Sequence, residues 1–305
     1  MSRIHEALKK AAQERSSRVA ANEPPAPADV VPAFESASGM GIQVAELAAR
    51  ANPMAEGLTC LRFDDLVKRC AHPTWQLDPR MKVHSKTEAE RVGAERFRTL
   101  RSRLYQIAAT RPMKKVLVTS SVKAEGKTFI AGNLAHSIVR QPDRRVLLID
   151  ADLRASRLHQ LFGAPNGPGL ADYLSGEADE YAVIQNPTGG NLFFIPGGTQ
   201  VSNPSELLLG ERMKSLLDLV TPIFDWVILD SPPTLPVHDA SNMADLCDGV
   251  LFVVRSGKTP YQIAERASSE FLKKNLLGVV LNDVEKSSAY YGYYADYSGD
   301  NSEDQ

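Results

Sequence analysis

A glycine, a lysine and a threonine in a row, Gly126-Lys127-Thr128, lie between an apolar run and an amphipathic one in "VLVTSSVKAEGKTFIAGNLA". Those residue types suit a polyphosphate. Backbone N–H groups of a loop that opens a helix point at phosphate oxygens. The lysine ammonium then reaches the β- and γ-phosphates, and the threonine hydroxyl is a hard oxygen ligand for Mg²⁺. The strict GxxxxGK[ST] spacing is not met, because Ser121 stands where its first glycine belongs. The candidate nucleotide-binding loop comprises Ser121, Val122, Lys123, Ala124, Glu125, Gly126, Lys127, Thr128 and Phe129. Three acids join it. Asp150 and Asp152 close the run "VLLIDADLR", two apart, so that on an extended chain their carboxylates leave the same face. Asp230 closes "DWVILDSPP". An aspartate after a strand is often only a turn or cap residue. Three of them beside a GKT loop point instead to a Mg²⁺-bound nucleotide.

The elements that must hold these residues are legible. "KKVLVTS", "RRVLLIDADLR", "NLFFIPGG", "DWVILDSPP", "GVLFVVRSG" and "LLGVVLND" are short and apolar along their length, the mark of strands buried on both faces. Helical stretches lie between most of them, which predicts a doubly wound, mostly parallel α/β sheet. In such sheets ligands bind at the carboxyl ends of the strands, where the loop and the acids fall. Ahead of the first strand, Phe97, Leu100, Leu104 and Ile107 recur at helical spacing and form one buried face.

Other classes are excluded by bulk properties. Lys+Arg of 35 against Asp+Glu of 37 leaves a net charge of −2, without the basic excess of a nucleic-acid binder. Cys60, Cys70 and His72 lack the CxxC pair of a zinc site, and three scattered cysteines suit a reducing cytoplasm. No apolar run resembles a signal peptide or a spanning helix. The expected organisation is a short amphipathic helix over residues 1–18, a Pro/Ala-rich linker over 19–57 within a largely disordered N-terminal extension, an unassigned connecting segment over 58–86, a nucleotide-binding domain over 87–284 and a flexible tail over 285–305.

That tail, "SSAYYGYYADYSGDNSEDQ", holds five of the nine tyrosines, Tyr290, Tyr291, Tyr293, Tyr294 and Tyr297, among Gly, Ser and acids. So little apolar surface cannot order a terminus. With these residues together, the chain resembles the bacterial tyrosine kinases of the CpsD/CapB type, P-loop proteins that govern capsule and exopolysaccharide export. The resemblance covers about residues 87–297. "TSSVKAEGKT" stands for the Walker A motif, "LLIDADLR" for the A′ motif and "VILDSPP" for Walker B. Where the family has Pro-Gly before Glu-Gly-Lys, this chain has Lys123-Ala124.

The resemblance implies a tyrosine autokinase with ATP and Mg²⁺ as cofactors. Lys127, Asp150, Asp152 and Asp230 would be catalytic. Thr128, Asp152 and Asp230 would hold the metal, and Asp150, whose role the sequence does not separate from that of Asp152, is the candidate to accept the tyrosine proton. It makes the tail tyrosines the phosphorylation sites, and it makes Glu95, Arg98 and Arg101, an ExxRxxR pattern, the oligomerisation motif of a ring. The implied partners are a membrane polysaccharide co-polymerase that recruits the chain from the cytoplasm to the inner face of the membrane, and a cognate tyrosine phosphatase. Two alternatives stand beside this. A partition or cell-division-positioning ATPase would carry a lysine five before Lys127, where Val122 stands. A non-catalytic nucleotide-binding regulator of an export complex would keep the loop without the chemistry.

Overall fold

The computed structural model describes residues 61–79, 88–187 and 189–284, which belong to one compact unit, Thr59–Gln305. The expectations for residues 1–18 and 19–57 and for the tyrosine-rich tail lie outside the described residues.

Six strands alternate with helices in chain order: α1 (Phe63–Arg69), α2 (Glu88–Ala108), β1 (Lys115–Ser120), α3 (Lys127–Val139), β2 (Val146–Asp150), α4 (Leu158–Phe162), α5 (Leu170–Ser175), α6 (Glu180–Val183) and β3 (Leu192–Ile195). There follow α7 (Pro204–Leu209), α8 (Glu211–Val220), β4 (Trp226–Asp230), α9 (Asp239–Ala244), β5 (Gly249–Arg255), α10 (Tyr261–Ser269) and β6 (Leu276–Asn282). All six apolar runs singled out in the sequence are strands. They pair in parallel, in the order β3-β2-β4-β1-β5-β6.

For β1 to β5 burial on both faces follows from the strand period of two. β6, expected to be buried as well, instead leaves Val279 and Leu281 exposed at the sheet edge. Leu117, Leu147, Ile149, Val227 and Leu229 enter one core, shared with α5, α8 and α9. Their neighbours Val116, Val118, Val146, Leu148 and Ile228 enter the other, under α2, α3 and α4. The helix expected before β1 spans Glu88–Ala108 and turns Phe97 and Leu104 into that second core, with Leu100 and Ile107 partly buried against it.

The connecting segment contributes more than its composition suggested. Leu61, Leu66 and Cys70 lie in the first core, and Trp75 packs its ring 5.2 Å from Phe162 and 5.9 Å from Phe194. Residues 61–79 are therefore part of the folded domain.

The topology decides where chemistry can occur. From β1 the chain leaves for β2, and β4 is later inserted between the two. The loop after β1 and the ends of β2 and β4 thereby become neighbours. Asp230 pairs in register with Asp150 on one side and with Val118 on the other.

Candidate active site

The loop after β1 turns twice through left-handed backbone. Ala124 has φ 66° and Gly126 has φ 96°. At Gly126 the glycine is also needed for space, because a Cβ there would run into the side-chain amide of Asn282. At Ala124 a residue with a Cβ holds a conformation that costs it about 1–2 kcal/mol. Gly126 is the N-cap of α3, so the first amides of that helix face the mouth of the loop.

Glu125 belongs to the expected loop, yet its side chain does not point to solvent. It is buried, and its carboxylate accepts from the Val122 amide (2.8 Å), the Thr259 hydroxyl (2.5 Å) and, more weakly, the Ser121 hydroxyl (3.3 Å). Asn282 donates to the Glu125 carbonyl at 2.9 Å. The loop is thus held from behind by the ends of β5 and β6. Thr259 and Asn282 escaped sequence reasoning, although "RSGKT" follows buried β5 and Asn282 ends the neighbouring edge strand β6, so both lie at the carboxyl end of the sheet.

Lys127 lies between the acids. Its ammonium is 2.9 Å from the Asp152 carboxylate, and the two side chains are 13% and 4% exposed. Burial works against its charge, but Asp230, Asp152 and Asp150 together outweigh that and hold it above the usual lysine range. It is not the solvated loop lysine that its sequence setting suggests.

The three aspartates do not stand alike. Asp152 lines the cavity beside Lys127, Thr128 and Arg154. Asp150 is wholly buried beneath it, and its Oδ2 accepts from the Ser156 hydroxyl (2.7 Å) and the amides of Arg157 and Leu158 (both 3.0 Å). Burial pushes its pKa up to about 6 against those hydrogen bonds. Asp230 is 1% exposed, and neither carboxylate oxygen has a hydrogen-bond partner. Burial raises its pKa to about 8, opposed by the Lys127 charge and the Thr128 hydroxyl and assisted by Asp150.

A buried carboxylate with both oxygens unpaired, next to a threonine hydroxyl, is a fitting inner wall for a hard cation. Among the described residues no three His, Cys, Asp or Glu side chains form a ready metal cage. Mg²⁺ in general binds through one or two carboxylates, water and substrate phosphates rather than through an all-protein shell. The residues that could hold it are Thr128, Asp152 and Asp230. Together the loop, the segment after β2 and the prolines after β4 enclose a cavity of about 580 Å³, enough for a nucleotide's phosphate end and an acceptor group.

Of the expected oligomerisation residues, Glu95 and Arg98 are exposed and paired with each other at 2.5 Å. Arg101 faces inward, donating to the Ser137 carbonyl of α3 at 2.5 Å. Among the described residues no helix is long and apolar enough to cross a membrane.

No family model matches the chain. Tyrosine-protein kinase YwqD of Bacillus subtilis is 35% identical over 215 residues, covering 70% of this chain and 90% of that protein. Tyrosine-protein kinase wzc of Salmonella typhi is 36% identical over 210 residues, which make up 67% of this chain but 29% of that protein. The kinase domain of Escherichia coli tyrosine kinase ETK superimposes with a TM-score of 0.63 at 32% identity, over 70% of this chain and 83% of that domain. The chain therefore matches nearly all of YwqD and under a third of the longer wzc.

Proposed function

The chain belongs to the bacterial tyrosine-protein kinases, and from that premise we propose that it transfers the γ-phosphoryl group of ATP to tyrosine hydroxyls, including those of its own tail, in the service of polysaccharide export. The tyrosine-kinase relatives favour this over the partition-type ATPase and over the non-catalytic regulator. The observation within the chain that carries it is Asp230, a buried carboxylate with two unpaired oxygens beside Lys127 and Thr128.

Phosphoryl transfer asks a protein mainly for position and charge. The amides of residues 123–128 and the Lys127 ammonium would cradle the triphosphate. Its arrival gives Lys127 phosphate oxygens in place of the Asp152 carboxylate, and frees that carboxylate. Thr128, Asp152 and Asp230 would hold Mg²⁺, which when bound neutralises phosphate charge. Asp150 would accept the phenolic proton. Its raised pKa suits a base working near neutral pH, and the Ser156 hydroxyl and two amides fix its orientation. Because Asp150 lies under the cavity surface, access to it requires the 152–158 loop to shift.

The tail tyrosines would serve as substrates of a neighbouring subunit in a ring, with Glu95, Arg98 and Arg101 at or behind the subunit contact. A membrane polysaccharide co-polymerase would recruit and activate the chain, and a cognate tyrosine phosphatase would reset it. Incubating the full chain with ATP and Mg²⁺ and reading the tail peptide by mass spectrometry tests the reading. Phosphate on tail tyrosines is expected. ATP hydrolysis without phosphotyrosine would return the partition-type ATPase, and nucleotide binding without either would return the regulator.

A further inference from the structure

The two edges of the sheet are treated differently. At β3, Gln185 bridges Phe194 and is itself bridged by Ala71, so that edge is closed. At the other end β6 pairs with β5, and among the described residues no backbone group pairs with its outer side. Its sequence, "LLGVVLN", has no charge and no proline to discourage pairing, and its one irregularity is a bulge near Gly278. Val279 and Leu281 stand in register with Phe252 and Val254 of the first core, yet they are 50% and 62% exposed. Val284, just beyond, is exposed as well. A bare strand edge beside an apolar face is a template for one more strand.

The chain itself supplies a strand that fits. Asp283 follows β6 directly with φ 56°, the left-handed geometry through which hairpin connections turn, and its carboxylate accepts from Arg255 at 2.8 Å. The tyrosine-rich segment comes next. A connection over residues 283–287, of ordinary hairpin length, sets 288–294 antiparallel to 282–276. On an extended chain Ala289, Tyr291, Tyr293 and Ala295 share one face, and that register puts Ala289 and Tyr291 opposite Leu281 and Val279. Tyrosine is among the residues that suit a half-buried strand. Past the pairing, Asp296 arrives at the foot of β6. There exposed Lys273 and the Arg111 guanidinium, which donates to Asn275 at 3.1 Å, have no carboxylate partner among the described residues. We propose that the outer edge of β6 docks the chain's own tail, residues 288–294, as a seventh strand in cis. A docked tail is withheld from every other molecule. A tyrosine phosphate carries about −1.5 to −2 charges and cannot lie on Val279 and Leu281 without losing its water, so phosphorylation keeps the tail off the edge. The docking stands apart from the kinase reading, and only this release rests on it.

Amide hydrogen exchange on the full chain, freed of phosphate and without nucleotide, tests the docking. The amides of 288–294 are expected to exchange about tenfold or more slowly than those of a synthetic peptide of residues 285–305, at a rate independent of protein concentration. Val279→Thr with Leu281→Thr keeps strand-forming residues at exposed positions and removes the apolar face. That double variant should return the tail to about the peptide's rate while the rest of the domain exchanges as before, and Tyr291→Ser with Tyr293→Ser should do the same. Tail amides as fast as the free peptide, or protection that survives Val279→Thr with Leu281→Thr, overturns the proposal. Protection that grows with protein concentration overturns docking in cis and assigns the edge to a second copy. After ATP and Mg²⁺, phosphorylated tails should have lost their protection, and protection retained on them overturns the release. Absence of any phosphotyrosine would sink the kinase reading alone, because the exchange contrast is read without nucleotide.

Discussion

Replacing Asp230 with asparagine separates what this carboxylate costs the fold from what it does for a bound cation. Its pKa is about 8 in the folded chain against an ordinary 3.8. The folded protein therefore keeps a proton that the unfolded chain releases, and stability falls as pH rises from about 4 to about 8. At pH 7 about three pKa units of that gap have been expressed, which at about 1.4 kcal/mol per unit sets a ceiling of about 4 kcal/mol. Asparagine keeps the shape of the protonated acid and cannot ionise in either state. Asp230→Asn should thus match the wild type near pH 4 and exceed it at pH 7. At about 2–4 °C per kcal/mol for a domain of this size, that ceiling corresponds to a rise in melting temperature of at most about 8–16 °C. With Mg²⁺ and ATP the order reverses, because the wild type gains stability by linkage and the variant loses its cation ligand. Thermal melts at pH 4 to 8, with and without Mg-ATP, read both effects. A variant no more stable than wild type at pH 7, or one stabilised by Mg-ATP as fully as wild type, would refute the reasoning.

Lys127→Met should abolish tail phosphorylation and also destabilise the nucleotide-free domain by about 3 kcal/mol, since it strands buried acids without their cation; denaturant melts should show the loss shrinking as the pH is lowered and those acids protonate. Ala124→Gly, at a left-handed residue, should stabilise the chain by up to about 1 kcal/mol, the opposite of the usual glycine penalty, because relief of the backbone exceeds the added freedom of the unfolded chain. A lowered melting temperature would count against that backbone assignment. Arg98→Glu alone should dissolve the proposed ring, read by light scattering, with nucleotide affinity retained. Arg101→Glu should in addition loosen α2 from α3 and lower the melting temperature, since Arg101 holds the Ser137 carbonyl.

Much of the molecule was legible before any coordinates. Runs such as "VLLID" and "GVLFVV" are apolar at every position, and only a strand covered on both faces makes that pattern favourable. The phosphate loop was legible for a similarly local reason. A strand, a short polar turn and a helix opening at Gly-Lys-Thr are contiguous in the chain, so their relation needs no knowledge of anything distant. What the tertiary structure alone decided is how remote segments meet. Asp150 and Asp152 are two residues apart and share a strand end, yet one is sealed beneath the surface by Ser156 and two amides while the other lines the cavity. Glu125 reads as a loop residue near phosphate, but Thr259 turns it into a tether. Asp230 is adjacent to Asp150 only because β4 is inserted between β1 and β2. Residue pattern reports how each segment meets its own solvent boundary. Which carboxylate loses its water, and which cation replaces it, depends on the order in which the strands are laid side by side, and that order is set by packing over the whole sheet.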